Sequence, residues 1–382
     1  MQVTIVGAGI MGLASAWALA RAGHRVSVYE QGSIPNPLGS SVDEHRVIRH
    51  AYGESAGYAA MAESAFQAWE LLWADLGQRL YQQTGVIAID RGDGTFARAS
   101  ARQLTALAAA HRWLDAAELE AAYPLLDTAE VTGALYTEAG GFLHARAIVA
   151  ALAAYLETRA VRVYPQSAVK RVDPQRARIE LAAGGTQNAD ALVIAAGPWV
   201  SRLLPDLAER VTPSRQVVAY IEPPAVHAAA WEAMPVVIDV GARADHRHGC
   251  YIIPPRARFG LKAGDHSFSL RGDPDRERTP GAEETTALLA RFGRSLRDPA
   301  GYRVREGKTC FYTVEAKERF IVEAVAAKTW VMTGFSGHGF KFGALLGLGL
   351  AAGVSGRCAP AALARWAAGQ APEGPPFDLE ES

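Results

Sequence analysis

The first thirty residues constrain this chain more than any other stretch. "VTIVGAGIMG" opens with a short β-branched run, Val3 to Val6, and passes through Gly7-Ala8-Gly9-Ile10-Met11-Gly12 into the alanine-rich, helically periodic "LASAWALARAG". The order is strand, glycine turn, helix. Gly7 permits the tight turn, Gly9 lets backbone approach a pyrophosphate, and Gly12 lets helix and strand pack closely, while the free N–H groups of the helix N-terminus face the phosphates. A second strand, "RVSVYE", ends at Glu30, whose carboxylate is placed to accept from a ribose. These residues point to a dinucleotide and argue against a bound 2′-phosphate, but they do not separate NAD from FAD.

A chain of 382 residues exceeds the roughly 250 to 300 at which a single hydrophobic core stops growing, so two packed domains are expected. With 39 basic and 40 acidic residues the net charge is −1, which gives no footing for a nucleic-acid partner. The three cysteines, Cys250, Cys310 and Cys358, form no C-x-x-C and no even set. A disulfide framework and a zinc site are both disfavoured, and a reducing, cytoplasmic location is expected. The apolar N-terminus has no basic leader and carries ordered glycines, so it reads as fold rather than address. "GALLGLGLAAGVSG" is shorter than the roughly 18 residues of a membrane span and reads as a buried helix.

Residues 53 to 77 carry Phe66, Trp69 and Trp73 at helical spacing, an aromatic set expected in the core. "GVIAID" reads as a strand, "ASARQLTALAAAH" and "IVAALAAYLETR" as helices, and "VRVYP", "ARIELAAG" and "ADALVIAAGPW" as strands. The last runs into Ala196-Gly197, small residues at the carboxyl end of a sheet, where open α/β folds bind ligands. Between 216 and 321 short apolar runs, among them "QVVAYIEPP", "CYIIPP", "FGLKAG" and "HSFSL", alternate with glycine and proline as in an antiparallel sheet. "KTWVMTG", the glycine-rich "FSGHGFKFG" and a small-residue helix then restore α/β character. The expected fold is α/β: a Rossmann-like domain from 1–80, 146–215 and 322–382, and an α+β substrate domain with a large antiparallel sheet from 81–145 and 216–321. The histidines of "DHRHGC" flank Arg247 and read as an exposed loop, so no metal is expected.

Taken together, "GAGIMG", "HRVIRHAYGES", "GLKAGDHSF", "CFYT" and "GFSGHGFKF" resemble, in order and over nearly the whole chain, the flavin-dependent amine oxidases typified by monomeric sarcosine oxidase and N-methyltryptophan oxidase. The resemblance implies FAD as cofactor, tethered by a thioether from Cys310 to the 8α-methyl group. It implies flavin contacts from Gly7, Gly9, Gly12, Glu30, Ser40, His45, Arg46, Val169, Gly197, Gly334, Gly337, Gly339 and Lys341. Arg49 and Lys341 match the carboxylate-binding pair, chemistry that suits a planar guanidinium supported by an ammonium.

Arg46 matches the arginine beside the flavin, and Lys262 the lysine that activates oxygen, where a cation would stabilise the charge formed on reduction. Tyr251, His266 and Tyr312 match the substrate side of the ring. The implied reaction is hydride transfer from a secondary or N-methylated amino acid, an imine that hydrolyses, and oxygen reduced to hydrogen peroxide. A small-molecule substrate and a monomer are implied as well.

Several residues depart from the pattern. Val42 and Asp43 stand where those oxidases carry histidine and glycine, and His45 replaces threonine. Glu315 and Lys317 follow "CFYT" in place of threonine and aspartate, and Arg256 and Arg258 add positive charge that an extra acid on the substrate or, equally, a solvated loop would explain. A flavin dehydrogenase using another acceptor, a colourless nicotinamide enzyme with a structural Cys310, and a non-catalytic flavin-binding protein stay open alternatives.

Overall fold

The computed structural model describes residues 1–159, 161–241, 249–257 and 259–380. The histidine loop at 245–248 and Arg258 lie outside the described residues. Six strands form the first sheet, in the order Ile321–Ala326, Thr329–Thr333, Ala191–Ile194, Gln2–Val6, Arg25–Tyr29 and Val161–Tyr164. All pairs are parallel except the hairpin of the first two. The strands are apolar on both faces because both are covered. Val3, Ile5, Val26, Val28 and Val193 join a core with the helices Ile10–Arg21, Ala56–Leu76, Ala145–Glu157 and Gly343–Val354. Val6, Leu192, Ile194 and Val331 pack on the other side with Val172 and Ile179 of a small antiparallel sheet that spans Val169 to Asn188.

The apolar segment near the C-terminus is the helix Gly343–Val354, buried along nearly its whole length, and the aromatics Trp69 and Trp73 are core as expected. No helix among the described residues is long and apolar enough to cross a membrane.

Eight strands form the second sheet, in the order Arg303–Glu315, Val211–Glu222, Leu261–Asp265, Cys250–Ile253, Val236–Asp239, Val86–Asp90, Gly133–Thr137 and Arg112–Leu114. It is antiparallel except where Val236–Asp239 runs parallel to Val86–Asp90. One face carries Ile87, Ile89, Ala219, Ile252 and Ala263 against Leu288 and Phe292. Those two belong to a helix, Ala282–Gly293, in a region whose apolar pattern predicts only sheet. The expected strand "HSFSL" is absent. Ser267 N donates to the Asp265 side chain and Leu270 N to Ser214 Oγ, so side chains take the donors that a strand ladder would need.

Strand pleat then decides what lines the other face. Residues directly opposite one another share a face, and Tyr220 pairs with Lys262, Lys262 with Ile253, and Gly264 with Tyr251. On the neighbouring edge strand, Cys310 and Tyr312 alternate onto the same side. Against this face lies a three-stranded sheet of Arg46–Ile48, Gly141–Leu143 and Tyr81–Gln83, which brings in Arg46.

Candidate active site

The glycine turn is held by backbone that admits no side chain. Gly7 has φ +105° and a Cβ there would lie 2.4 Å from the Ala195 carbonyl oxygen, while one at Gly12 would lie 1.9 Å from the Gly7 carbonyl oxygen. The helix that follows has no side-chain cap at Gly9 and no acidic residue in its first turn, leaving its positive end to an anion. Ile10 N donates to Ser41 Oγ at 3.0 Å. Glu30 is buried, and its carboxylate accepts from Ala8 N at 2.8 Å, Gly32 N at 3.0 Å and Asn36 Nδ2 at 2.8 Å. Three of its roughly four acceptor positions are taken by the protein, so one remains for a ligand hydroxyl.

A long cavity starts at this turn. Gly7, Gly9, Glu30, Ser40, Arg46, Val169, Gly197, Gly337 and Gly339 line it, together with Tyr312. A second cavity holds His45, Arg46, Arg49, Tyr251, Lys262, His266, Tyr312 and Lys341. Arg46, Tyr312, Gly337 and Phe340 belong to both, so the two spaces meet at these residues. At the junction Gly337, with φ +81°, lets the Tyr312 ring approach to where a Cβ would be 2.3 Å away.

Three of the expected residues line neither cavity. Gly12 is spent on helix–strand packing, Gly334 faces Ile321 and the Arg319 carbonyl, and Cys310 lies two residues from Tyr312 on the same face of its strand. His45 and Lys341, expected against the flavin, line the second cavity rather than the first. Burial pushes the Cys310 thiol up, opposed by the positive charge of Arg46 and Lys262. Cys250 and Cys358 are buried and free, and Cys250 lines the second cavity.

The second cavity has cations of two kinds. Lys262 is fully buried and donates to Asp43 Oδ2 and, at 3.2 Å, to the His45 carbonyl oxygen. Arg46 Nη1 reaches the same Asp43 oxygen at 2.7 Å, and Nη2 donates to the Ser40 carbonyl at 2.9 Å. Arg49 and Lys341 have no such partner: among the described residues neither forms an ion pair. Lys341 Nζ donates to the His338 carbonyl at 2.9 Å, Arg49 stacks 4.4 Å from the Tyr52 ring centroid, and Arg49 Nη1 is buried without a hydrogen bond. Burial lowers the pKa of Arg49, and burial together with Arg49 holds Lys341 well below the usual lysine range. His266 Nε2 meets Glu318 Oε2 at 2.8 Å at the same cavity.

Residue by residue, sequence reading missed Asp43 as a site residue, along with Tyr52, His338 and Glu318. His338 lies inside "GFSGHGFKF" and Asp43 two residues ahead of "HRVIRHAYGES", so the signal was their burial, which spacing does not reveal. Arg256 donates to the carbonyls of Trp231, Met234 and Pro255 and lines neither cavity, which removes it as a reader of an extra acid.

Comparison with known proteins identifies the family. Residues 2–352 match the model of the FAD dependent oxidoreductase family. The chain belongs to that family. It is 29% identical over 357 residues to monomeric sarcosine oxidase of Bacillus sp. (strain B-0618), with 91% of this chain and 90% of the relative covered. It is 26% identical over 352 residues to N-methyl-L-tryptophan oxidase of Yersinia pestis (strain Pestoides F), with 91% and 92% covered. Among solved structures, the L-proline dehydrogenase of P. horikoshii shares the fold at a TM-score of 0.79, 17% identity and coverage of 97% and 96%. NikD, an unusual amino acid oxidase of nikkomycin biosynthesis, superposes at 0.75 with 20% identity over 92% of each chain. Among the described residues no cluster of histidine, cysteine or acidic side chains is arranged to hold a metal ion.

Proposed function

We propose that this chain is an oxidase of secondary or N-methylated amino acids that reduces oxygen to hydrogen peroxide and carries FAD tethered through Cys310. The observation that carries the substrate class is the pair Arg49 and Lys341: two basic side chains that form no ion pair among the described residues, at a cavity that adjoins the flavin site. A charge is costly to bury unpaired, and a substrate carboxylate would pair both. The names of the sarcosine and N-methyltryptophan oxidases support the same class.

Gly7, Gly9, Ser41 and the helix N-terminus would hold the pyrophosphate, Glu30 a ribose hydroxyl, and Arg46 the ring. FAD, when bound, supplies the hydride acceptor. Arg49 and Lys341 anchor the substrate carboxylate, so the amine-bearing carbon is presented at the junction beside Tyr312 and Tyr251. Positioning of this kind is the protein's main contribution to a hydride transfer. Lys262 supplies positive charge for oxygen reduction. The flavin-holding segments are 1–80, 146–215 and 322–382, and the substrate segments 81–145 and 216–321, in a protein that acts as a monomer in the cytoplasm.

The test is anaerobic mixing of the yellow protein with sarcosine and with larger N-methyl amino acids, followed by air and a peroxide assay. Bleaching, recovery in air and stoichiometric peroxide are expected. Bleaching without recovery in air would replace the oxidase with a dehydrogenase, and no bleaching by any secondary amino acid would end the substrate assignment. Acid precipitation that leaves flavin in the supernatant would remove the Cys310 tether.

A further inference from the structure

Asp43 stands where the oxidases that the sequence resembles carry glycine, and it is the one carboxylate within ion-pair distance of Lys262 or Arg46 among the described residues. Every acceptor position on it is filled. Oδ2 takes Lys262 Nζ and Arg46 Nη1, and Oδ1 takes the Tyr220 hydroxyl at 2.6 Å and Glu44 N at 2.9 Å. Tyr220 is also the strand neighbour directly opposite Lys262, so Asp43 is clamped over one registered pair of the large sheet.

We infer that Asp43 is the positioning residue of the second cavity: it fixes the Lys262 ammonium there, beside the junction residue Arg46, and keeps it protonated. This rests on the flavin-site reading for its consequence, though not for its geometry. The groups around Lys262 leave Asp43 alone in that role. From the segment 43–48 come His45 and Arg46, from Val211–Glu222 comes Tyr220, from Cys250–Ile253 comes Tyr251, and from Arg303–Glu315 come Cys310 and Tyr312. His45 is pushed down to about 3 by burial and by Lys262, so its ring is neutral and brings no charge. Tyr251, Tyr312, Tyr220 and Cys310 are all raised by burial and stay protonated.

Arg46 repels the ammonium, and burial lowers Lys262 to about 8 even with Asp43 in place. The carboxylate itself is pushed up by burial, yet Lys262 and Arg46 outweigh this and hold it well below the usual range. Removing it leaves two buried cations side by side. The lysine, unlike the arginine, has a way out by shedding its proton.

The six lysines of the chain make this measurable without flavin or substrate, by 13Cε-lysine NMR across a pH titration of the purified protein. The resonance lost in Lys262→Met identifies Lys262, and it is expected to titrate near 8 in the parent chain. In Asp43→Asn its midpoint should fall by about one unit or more. Asp43→Gly, which restores the residue of the resembled oxidases, should do the same and guards against a variant that fails to fold.

A midpoint that stays in place in either folded variant overturns the assignment. A Lys262 already deprotonated at neutral pH in the parent chain overturns it equally. Failure of secondary amino acids to bleach the flavin would sink the proposed reaction and leave this titration standing. An unmoved titration beside normal amine oxidation would sink only Asp43.

Discussion

The second cavity contains two arginine–lysine pairs that differ in one respect, and the difference organises the site. Arg46 and Lys262 share the carboxylate of Asp43, whereas Arg49 and Lys341 share none. Their titration follows suit. Burial works against Arg46, but Asp43 prevails and raises it, while Arg49 is lowered. Lys262 comes down to about 8, and Lys341, beside Arg49 with no anion, falls well below its usual range. Burial is similar in the two pairs, so the carboxylate accounts for the contrast. A pair with an internal anion is a fixture. A pair without one is, in the proposed function, a receptor whose anion arrives with the ligand.

The largest expected effect is therefore on the unpaired cations. Arg49→Met should weaken binding of an amino-acid substrate by about 10³-fold, within the 2–5 kcal/mol that follows loss of one partner of a buried charge pair. KM or Kd should carry the loss, and an amine without a carboxylate should be nearly indifferent. Lys341 adds a signature in pH. A bound carboxylate raises its depressed pKa, so binding takes up a proton and affinity falls as pH rises between the free and bound values. Acetate, titrated against the flavin spectrum, should lose affinity across that window in the parent chain and show a flat profile in Lys341→Met. A steep profile in the variant would show that the proton goes elsewhere.

On the paired side, Lys262→Met should slow reoxidation of the reduced protein by oxygen about 10²-fold, the scale of one electrostatic contact to developing charge. Reduction by substrate should change by a few-fold at most. Stopped-flow measurement of the two half-reactions separates them. An unchanged reoxidation rate would remove Lys262 from the reaction with oxygen and would equate the two pairs as mere anchors.

A smaller effect, on stability, belongs to Asp43. Asp43→Asn keeps the shape, and Lys262 relieves the exposed charge by losing its proton. The cost should be about 1–3 kcal/mol, as for unmet buried hydrogen bonds rather than a stranded ion pair. The sign with pH follows from the depressed carboxyl. Its stabilisation is fully present above the unfolded value of about 3.9 and is lost as pH falls through the lower folded value. Melting curves of parent and variant should thus differ at pH 7 and converge in acid.

The contrast also explains what sequence reveals. The flavin turn is backbone chemistry in one local run, and each of Gly7, Gly9 and Gly12 answers a steric demand that the strand–turn–helix order of that run already imposes. Arg49 and Lys341 were legible because resemblance named them, and spacing would not have done so: they are 292 residues apart and come together only as lining of the second cavity. Asp43 was legible only as a departure. Its role depends on Lys262 and Tyr220, set opposite each other by strand register, which composition cannot carry. The absent strand at "HSFSL" has the same origin, since apolar alternation predicts a strand until Asp265 and Ser214 claim its backbone donors.

The smallest expected effect tests whether an anion is the only partner that retires a half-buried guanidinium. Arg256 is a third arginine near this region, and the added charge there invited an acidic substrate group. Its guanidinium instead donates to the carbonyls of Trp231, Met234 and Pro255, at 3.4, 2.8 and 2.8 Å. Three backbone acceptors leave it fixed without any carboxylate, and it faces neither cavity. Arg256→Ala should therefore leave kcat and KM within about two-fold for both monocarboxylic and dicarboxylic substrates, and should cost about 1 kcal/mol of stability from the lost hydrogen bonds. A selective loss of dicarboxylic substrates would return Arg256 to the receptor class with Arg49, and the division between fixed and receptive cations would then have to be drawn by position in the sheet rather than by partner.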